Sequence, residues 1–208
     1  MASSTDTYWS DVSRQRRVLA DHVDALDPAA WDAPSWCEGW RVRDVLGHLV
    51  FLAEASQLSM SVAMVRSGFR PNALLDRRAR ALGDLGVPEL ADRLRAASAG
   101  RFHIAGLPRA VVMGEVVTHG ADMLRPLGQQ VELHPAALIP VLNLYGRIGS
   151  LAFGGERSIG VRLVATDCNW SHGNGDEVRG RAVDLLLLLA NRRQVLPALS
   201  GAGVKRFG

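Results

Sequence analysis

Apolar residues recur at helical spacing along most of the first 130 positions, and that period limits the fold more than any other feature of the 208-residue chain. Over Thr5–Leu26, the residues Tyr8, Val12, Leu19, Val23 and Leu26 fall on one face, with Arg and Asp between them. Asp27-Pro28 ends that segment. A tryptophan-rich connector with turn residues follows, from Trp31 to Trp40. A second helix is expected over Val42–Arg66, with a broad apolar face and with Asp44 in its first turn, where a carboxylate complements the helix dipole. Residues 72–86 are Arg-rich and are expected to be partly helical; Pro88–Ala99 reads as a short helix. Residues 109–125 form a well-signalled helix, with Pro108 suited to its first turn and Gly128 just past its end. A further helical stretch covers Pro135–Phe153. Substantial helices with longish connections imply a bundle.

Beyond Phe153 the period changes. Ile159–Thr166 alternates like a strand, Asp176–Arg181 reads as a second strand after the Asn174-Gly175 turn, and Ala182–Leu199 reads as a last helix. The chain is therefore expected to be mainly α, with a helical bundle over 1–153 and a small α+β appendage over 154–208.

Nearly all the positive charge is arginine, Lys205 being the sole lysine, and acidic residues are interspersed with it. No clustered basic run with stacking aromatics appears, so nucleic acid is not an expected partner. Cys37 and Cys168 make neither a disulfide framework nor a CxxC zinc pattern. The N-terminus lacks a basic stretch followed by an apolar one, and the apolar run Leu185–Ala190 is far too short for a bilayer. A cytoplasmic protein without a membrane partner, monomer or homodimer, is expected. With 48% hydrophobic residues the core needs no metal in order to form, so a metal site here would serve chemistry.

Glu115 and His119 are four apart on one predicted helix and share a face. His48 lies mid-helix between apolar neighbours and is expected to point into the bundle. Two imidazoles and a carboxylate from facing helices can form a three-ligand metal site with open positions. Spacing alone leaves two plainer readings open: a hydrogen-bonded core histidine, and a surface i,i+4 pair.

The stretch Cys37-Glu-Gly-Trp-Arg-Val-Arg-Asp-Val-Leu-Gly-His48-Leu resembles the opening motif of the mycothiol-dependent maleylpyruvate isomerase family, within the DinB-like metal-binding superfamily. Glu115-Val-Val-Thr-His119-Gly-Ala-Asp122, followed by Leu127-Gly128, resembles its second motif. Ala165-Thr-Asp, Trp170, Gly173-Asn-Gly175, Val178-Arg-Gly180 and Ala190-Asn-Arg192 look like its small C-terminal domain. The resemblance implies a DinB-like four-helix bundle that binds Zn2+, or a similar divalent ion, through His48, Glu115 and His119. It implies mycothiol as cosubstrate and a small electrophile as its target, in a thiol-dependent isomerisation or thiol transfer. Coordination favours the thiolate, the form that attacks. The sequence departs from the family pattern in its short connection between the two motifs and in Arg41 at a helix start, where Ser or Thr is the usual cap.

Arg192 has a fork of donors suited to the carboxylate or sugar of a thiol cofactor, against the plainer reading of a surface arginine. Asp44 is expected to be a helix-start charge rather than a support for His48, Asp122 to form an ion pair near a helix end, and Cys37 to be a small buried hydrophobe rather than a nucleophile. Trp36 and Trp40 are expected to pack the connector over the bundle mouth. Three other functions compete with thiol chemistry: a hydrolase using metal-bound water, a non-catalytic metal-binding module, and an iron site for oxygen chemistry.

Overall fold

The structure, a computed structural model, describes residues 4–130, 133–148 and 159–208. Its contacts divide the chain into two compact units, Met1–Val131 and Glu132–Gly208.

The first unit is helical. Helix α1 (Ser4–Asp24) buries Tyr8, Val12, Leu19 and Val23, the face that the period marks. Asp27 then opens a 3-10 turn over Pro28–Asp32, its carboxylate accepting from the Ala29 amide at 2.8 Å. Helix α2 (Val42–Glu54) starts without a Ser or Thr cap. Instead Asp44 reaches back: Oδ2 accepts from the Arg41 main-chain N–H and from its Nε, both at 2.9 Å, and Oδ1 accepts from Nη2 at 2.8 Å. One carboxylate thus satisfies an orphan donor of the helix start and holds the arginine that replaced the usual cap.

The single helix expected over Val42–Arg66 is two. Ala55 is extended, and Ser56 begins α3 (Gln57–Arg66) by exchanging side-chain-to-backbone hydrogen bonds with Ser59. An apolar period cannot reveal this break, because the face continues across it. The Arg-rich segment is a full helix, α4 (Pro71–Gly83), with proline in its first turn. Helices α5 (Val87–Ala96) and α6 (Ala110–Leu124) complete the unit, and a 3-10 turn over Arg125–Leu127 extends α6 to Gly128.

Helices α1, α2, α5 and α6 share one core, including Leu19, Val23, Val45, Leu49, Leu90, Leu94, Val116 and Met123. They are the four-helix bundle. Helix α4 lies outside it and crosses α2 at backbone contact: a Cβ on Gly47 would meet the Ala79 carbonyl oxygen at 2.5 Å, and one on Gly83 would meet Asp44 Oδ1 at 2.5 Å. Small residues on both helices therefore fix the depth and rotation of α2 next to His48.

In the second unit, α7 (Ile139–Ile148) follows a 3-10 turn over Pro135–Leu138 and packs on α8 (Ala182–Leu189). The helix expected over Pro135–Phe153 is thus met by α7 up to Ile148, and its last residues lie outside the described ones. The contacts group α7 with the C-terminal strands, whereas the expected division at 153 groups it with the bundle. Strand β1 (Val161–Ala165) is central in a three-stranded sheet, antiparallel to β2 (Ser171–Gly173) and parallel to β3 (Asp176–Gly180). At three residues, β2 is too short to show alternation. Asp167 Oδ1 accepts from the Ala182 amide at 2.8 Å and caps α8 from outside its own sequence. The helix expected to reach Leu199 stops at Leu189, because Asn191 adopts φ 63° and a proline-containing 3-10 segment, Arg193–Ala198, follows. Among the described residues, no helix is long and apolar enough to cross a membrane.

Candidate metal centre

His48 stands in the middle of α2, only 4% exposed. Glu115 and His119 stand one turn apart on α6. Core packing between α2 and α6 brings the three together. His48 Nε2 lies 3.2 Å from Glu115 Oε2, and His119 Nε2 lies 3.4 Å from the same oxygen. The two rings meet edge to face, their centroids 4.7 Å apart. One donor atom from each residue lies within 4.8 Å of the others.

This set suits a divalent cation. Among the described residues Glu115 pairs with neither arginine nor lysine; its ion-pair partners are the two imidazoles. An N,N,O donor set of this kind is typical of zinc and similar ions. His48 Nδ1 is buried with no hydrogen-bond partner, so on that side packing orients the ring, while Nε2 meets Glu115. Burial pushes the His48 pKa down, and its contact with Glu115 offsets this only in part. Burial pushes Glu115 up, but hydrogen bonds from His119 and His48 outweigh it and hold the carboxyl well below the usual carboxylate range.

His119 is held differently. Its Nδ1 lies 3.0 Å from Asp122 Oδ2, and Asp122 is fully buried. A carboxylate accepts, so Nδ1 carries the proton and Nε2 is presented toward Glu115. Burial lowers the His119 pKa, but Asp122, Cys37 and Glu115 together raise it well above the ordinary value. A carboxylate behind a ligating imidazole is the usual device for fixing a metal ligand.

Asp122 forms the ion pair near a helix end that is expected from sequence, and goes beyond it in that its partner at the site is the imidazole three residues back on the same helix. The H-G-A-D spacing carried the signal, since i,i+3 places Asp122 beside His119. Cys37 departs from the plain hydrophobe as well, its Sγ lying 3.0 Å from Asp122 Oδ2. Asp44 belongs to the α2 start, as the helix-charge reading has it. The connector does pack at the site. The Trp40 ring lies 5.4 Å from the His48 ring, and its indole N–H donates to Asp76 of α4 at 2.8 Å. The Trp36 amide donates to the Asp122 carbonyl at 2.9 Å. Arg192 belongs to the second unit, just after α8, and donates to the Ala190 carbonyl at 2.8 Å.

The bundle and its ligand-bearing helices coincide with a known family model. Residues 12–124, more than half of the chain, match the mycothiol maleylpyruvate isomerase N-terminal domain. The chain belongs to this enzyme family. Among solved structures it is similar to a crystal structure of a mycothiol-dependent maleylpyruvate isomerase and to one of a histidine-to-alanine mutant. Each match has a TM-score of 0.59 at 15% identity and covers 97% of this chain and 96% of the other. At that identity the likeness is one of fold. No curated protein matches the sequence.

Proposed function

We propose that this chain is a mycothiol-dependent transferase or isomerase whose divalent metal ion, Zn2+ by the character of its donors, is held by His48, Glu115 and His119. The observation that carries this reading is the convergence of His48 Nε2, Glu115 Oε2 and His119 Nε2 from two helices, with Asp122 behind His119. When bound, the cation supplies the Lewis acidity that favours the thiolate form of a coordinated thiol at neutral pH.

The chain's own residues do the rest. Glu115 provides the negative charge facing the cation. Asp122 holds the proton on His119 Nδ1 and so keeps Nε2 available. Trp40 and the packed interior of α2 shield His48 from water. Three protein donors leave room for an exchangeable ligand, the feature that separates a reactive centre from a structural one. A small electrophilic molecule is the partner of the activated thiol. In the same reading Arg192 binds the carboxylate or sugar of mycothiol; Arg192→Ala then raises KM for the thiol with little change in kcat.

Elemental analysis of the purified protein beside His48→Ala, Glu115→Ala and His119→Ala tests the centre. One metal per chain is expected in the parent and a large loss in each variant; equal metal in all four sinks the site. Turnover of electrophiles with and without added thiol tests the chemistry. Equal rates in the two would replace thiol transfer by hydrolysis through bound water.

A further inference from the structure

We infer that Cys37 is a positioning residue of the metal centre, acting through Asp122 on the orientation of His119. The inference rests on the proposed centre and adds a residue to its support.

Three atoms form a closed triangle behind His119. Its Nδ1 lies 3.0 Å from Asp122 Oδ2, Cys37 Sγ lies 3.0 Å from the same oxygen, and Sγ lies 3.4 Å from Nδ1. Asp122 is 0% exposed, so the donors to its carboxylate come from the protein rather than from bulk water. The Cys37 S–H donates to the very oxygen that accepts the His119 Nδ1–H.

The connector is folded to hold the thiol there. Ser35 Oγ accepts from the Cys37 amide at 3.1 Å and donates to the Trp40 carbonyl at 2.8 Å. Next to it, the Trp36 amide donates to the Asp122 carbonyl. Asp122 is thus gripped through its main chain by residue 36 and through its side chain by residue 37.

The thiol lies on the Nδ1 side of the imidazole, whereas His48 and Glu115 face Nε2. Cys37 therefore does not ligate the ion held by those residues. Cys37, His119 and Asp122 do lie close enough to hold a cation of their own. That arrangement would require His119 to give up both ring protons and bridge two ions. A thiol donating to a buried carboxylate satisfies the same geometry with no such cost.

The test uses the full chain stripped of metal and titrated with Co2+, with affinity measured against a competing chelator. Cys37→Ala is expected to weaken Co2+ binding about tenfold, the low end for supports behind a ligand. Cys37→Ser, which keeps a donor, is expected to stay within about threefold of the parent. In an Asp122→Ala background, Cys37→Ala is expected to cost nothing more, because the path through Asp122 is already cut. If Cys37→Ala fails to fold, Cys37→Val removes the donor at similar volume. Unchanged affinity in Cys37→Ala, losses that multiply with Asp122→Ala, or a serine variant as weak as the alanine one would each overturn the role. A second bound Co2+ with a thiolate-to-cobalt absorption that vanishes in Cys37→Ala would make Cys37 a ligand instead. A parent chain that binds no Co2+ at all would fail the metal centre itself, a result distinct from every other.

Discussion

The two histidines of the centre present the same atom, Nε2, to the same carboxylate, yet the two sides of the bundle hold them by opposite means. On the α2 side, His48 is fixed by packing. It is almost fully buried, its Nδ1 has no partner, Trp40 lies against its ring, and the Gly47 and Gly83 contact locks α2 on α4. On the α6 side, His119 is fixed by a hydrogen bond: its Nδ1–H donates to Asp122, whose same oxygen accepts from Cys37. Packing positions a ring through the whole helix; a hydrogen bond positions it through one atom. Damage to the first should therefore appear as lost stability, and damage to the second as lost metal affinity at nearly constant stability.

The largest expected effect treats both sides alike. Glu115→Ala removes the carboxylate both rings face, and metal affinity should fall by more than about a hundredfold, as measured by chelator competition. A loss confined to a fewfold would mean that the two imidazoles alone define the site.

Next in size, Asp122→Asn weakens the acceptor behind His119. Metal affinity should drop about 10- to 100-fold, with a smaller change in the melting temperature of the metal-stripped protein. A collapse of that melting temperature with affinity retained would show that Asp122 serves the fold rather than the ligand.

Gly47→Ala probes the other side. Its new methyl meets the Ala79 carbonyl, and thermal unfolding should reveal a loss of about 1–3 kcal/mol. Metal binding to the folded fraction should change much less. Lost metal with an unchanged melting temperature would contradict a packing-held His48.

The smallest effects lie in the pH profile of the metal-stripped protein. The folded-state pKa of His119 is raised, so its stabilising contribution is complete below the unfolded value of about 6.5 and fades as pH climbs through the raised one. The folded-state pKa of His48 is lowered, so the unfolded chain takes up its proton first and stability falls as pH drops below about 6.5. Removing His119 should flatten the alkaline limb of stability against pH, and removing His48 the limb just below neutrality. Chemical denaturation across pH checks both, and matching limbs in the two variants would erase the asymmetry.

Much of this was legible in the residues. The 3.6-residue period marked the bundle helices because each buries one face. The i,i+4 spacing of Glu115 and His119 had to put them on one side of α6, since helix geometry is local. Three things were not legible, the last two because they depend on contacts distant in the chain. The break at Ala55–Ser56 is made by a reciprocal serine cap inside a continuous apolar pattern. The pairing of His48 with Glu115 spans 67 positions and needs α2 set at one depth, which glycines on two helices decide. The placement of Cys37 behind His119 spans 82 positions and follows from a connector folded onto the buried carboxylate of Asp122. Local spacing determined which side chains could act together on α6. The packing of the bundle decided what faces them, because the partner atoms come from helices and loops that share no sequence period with α6.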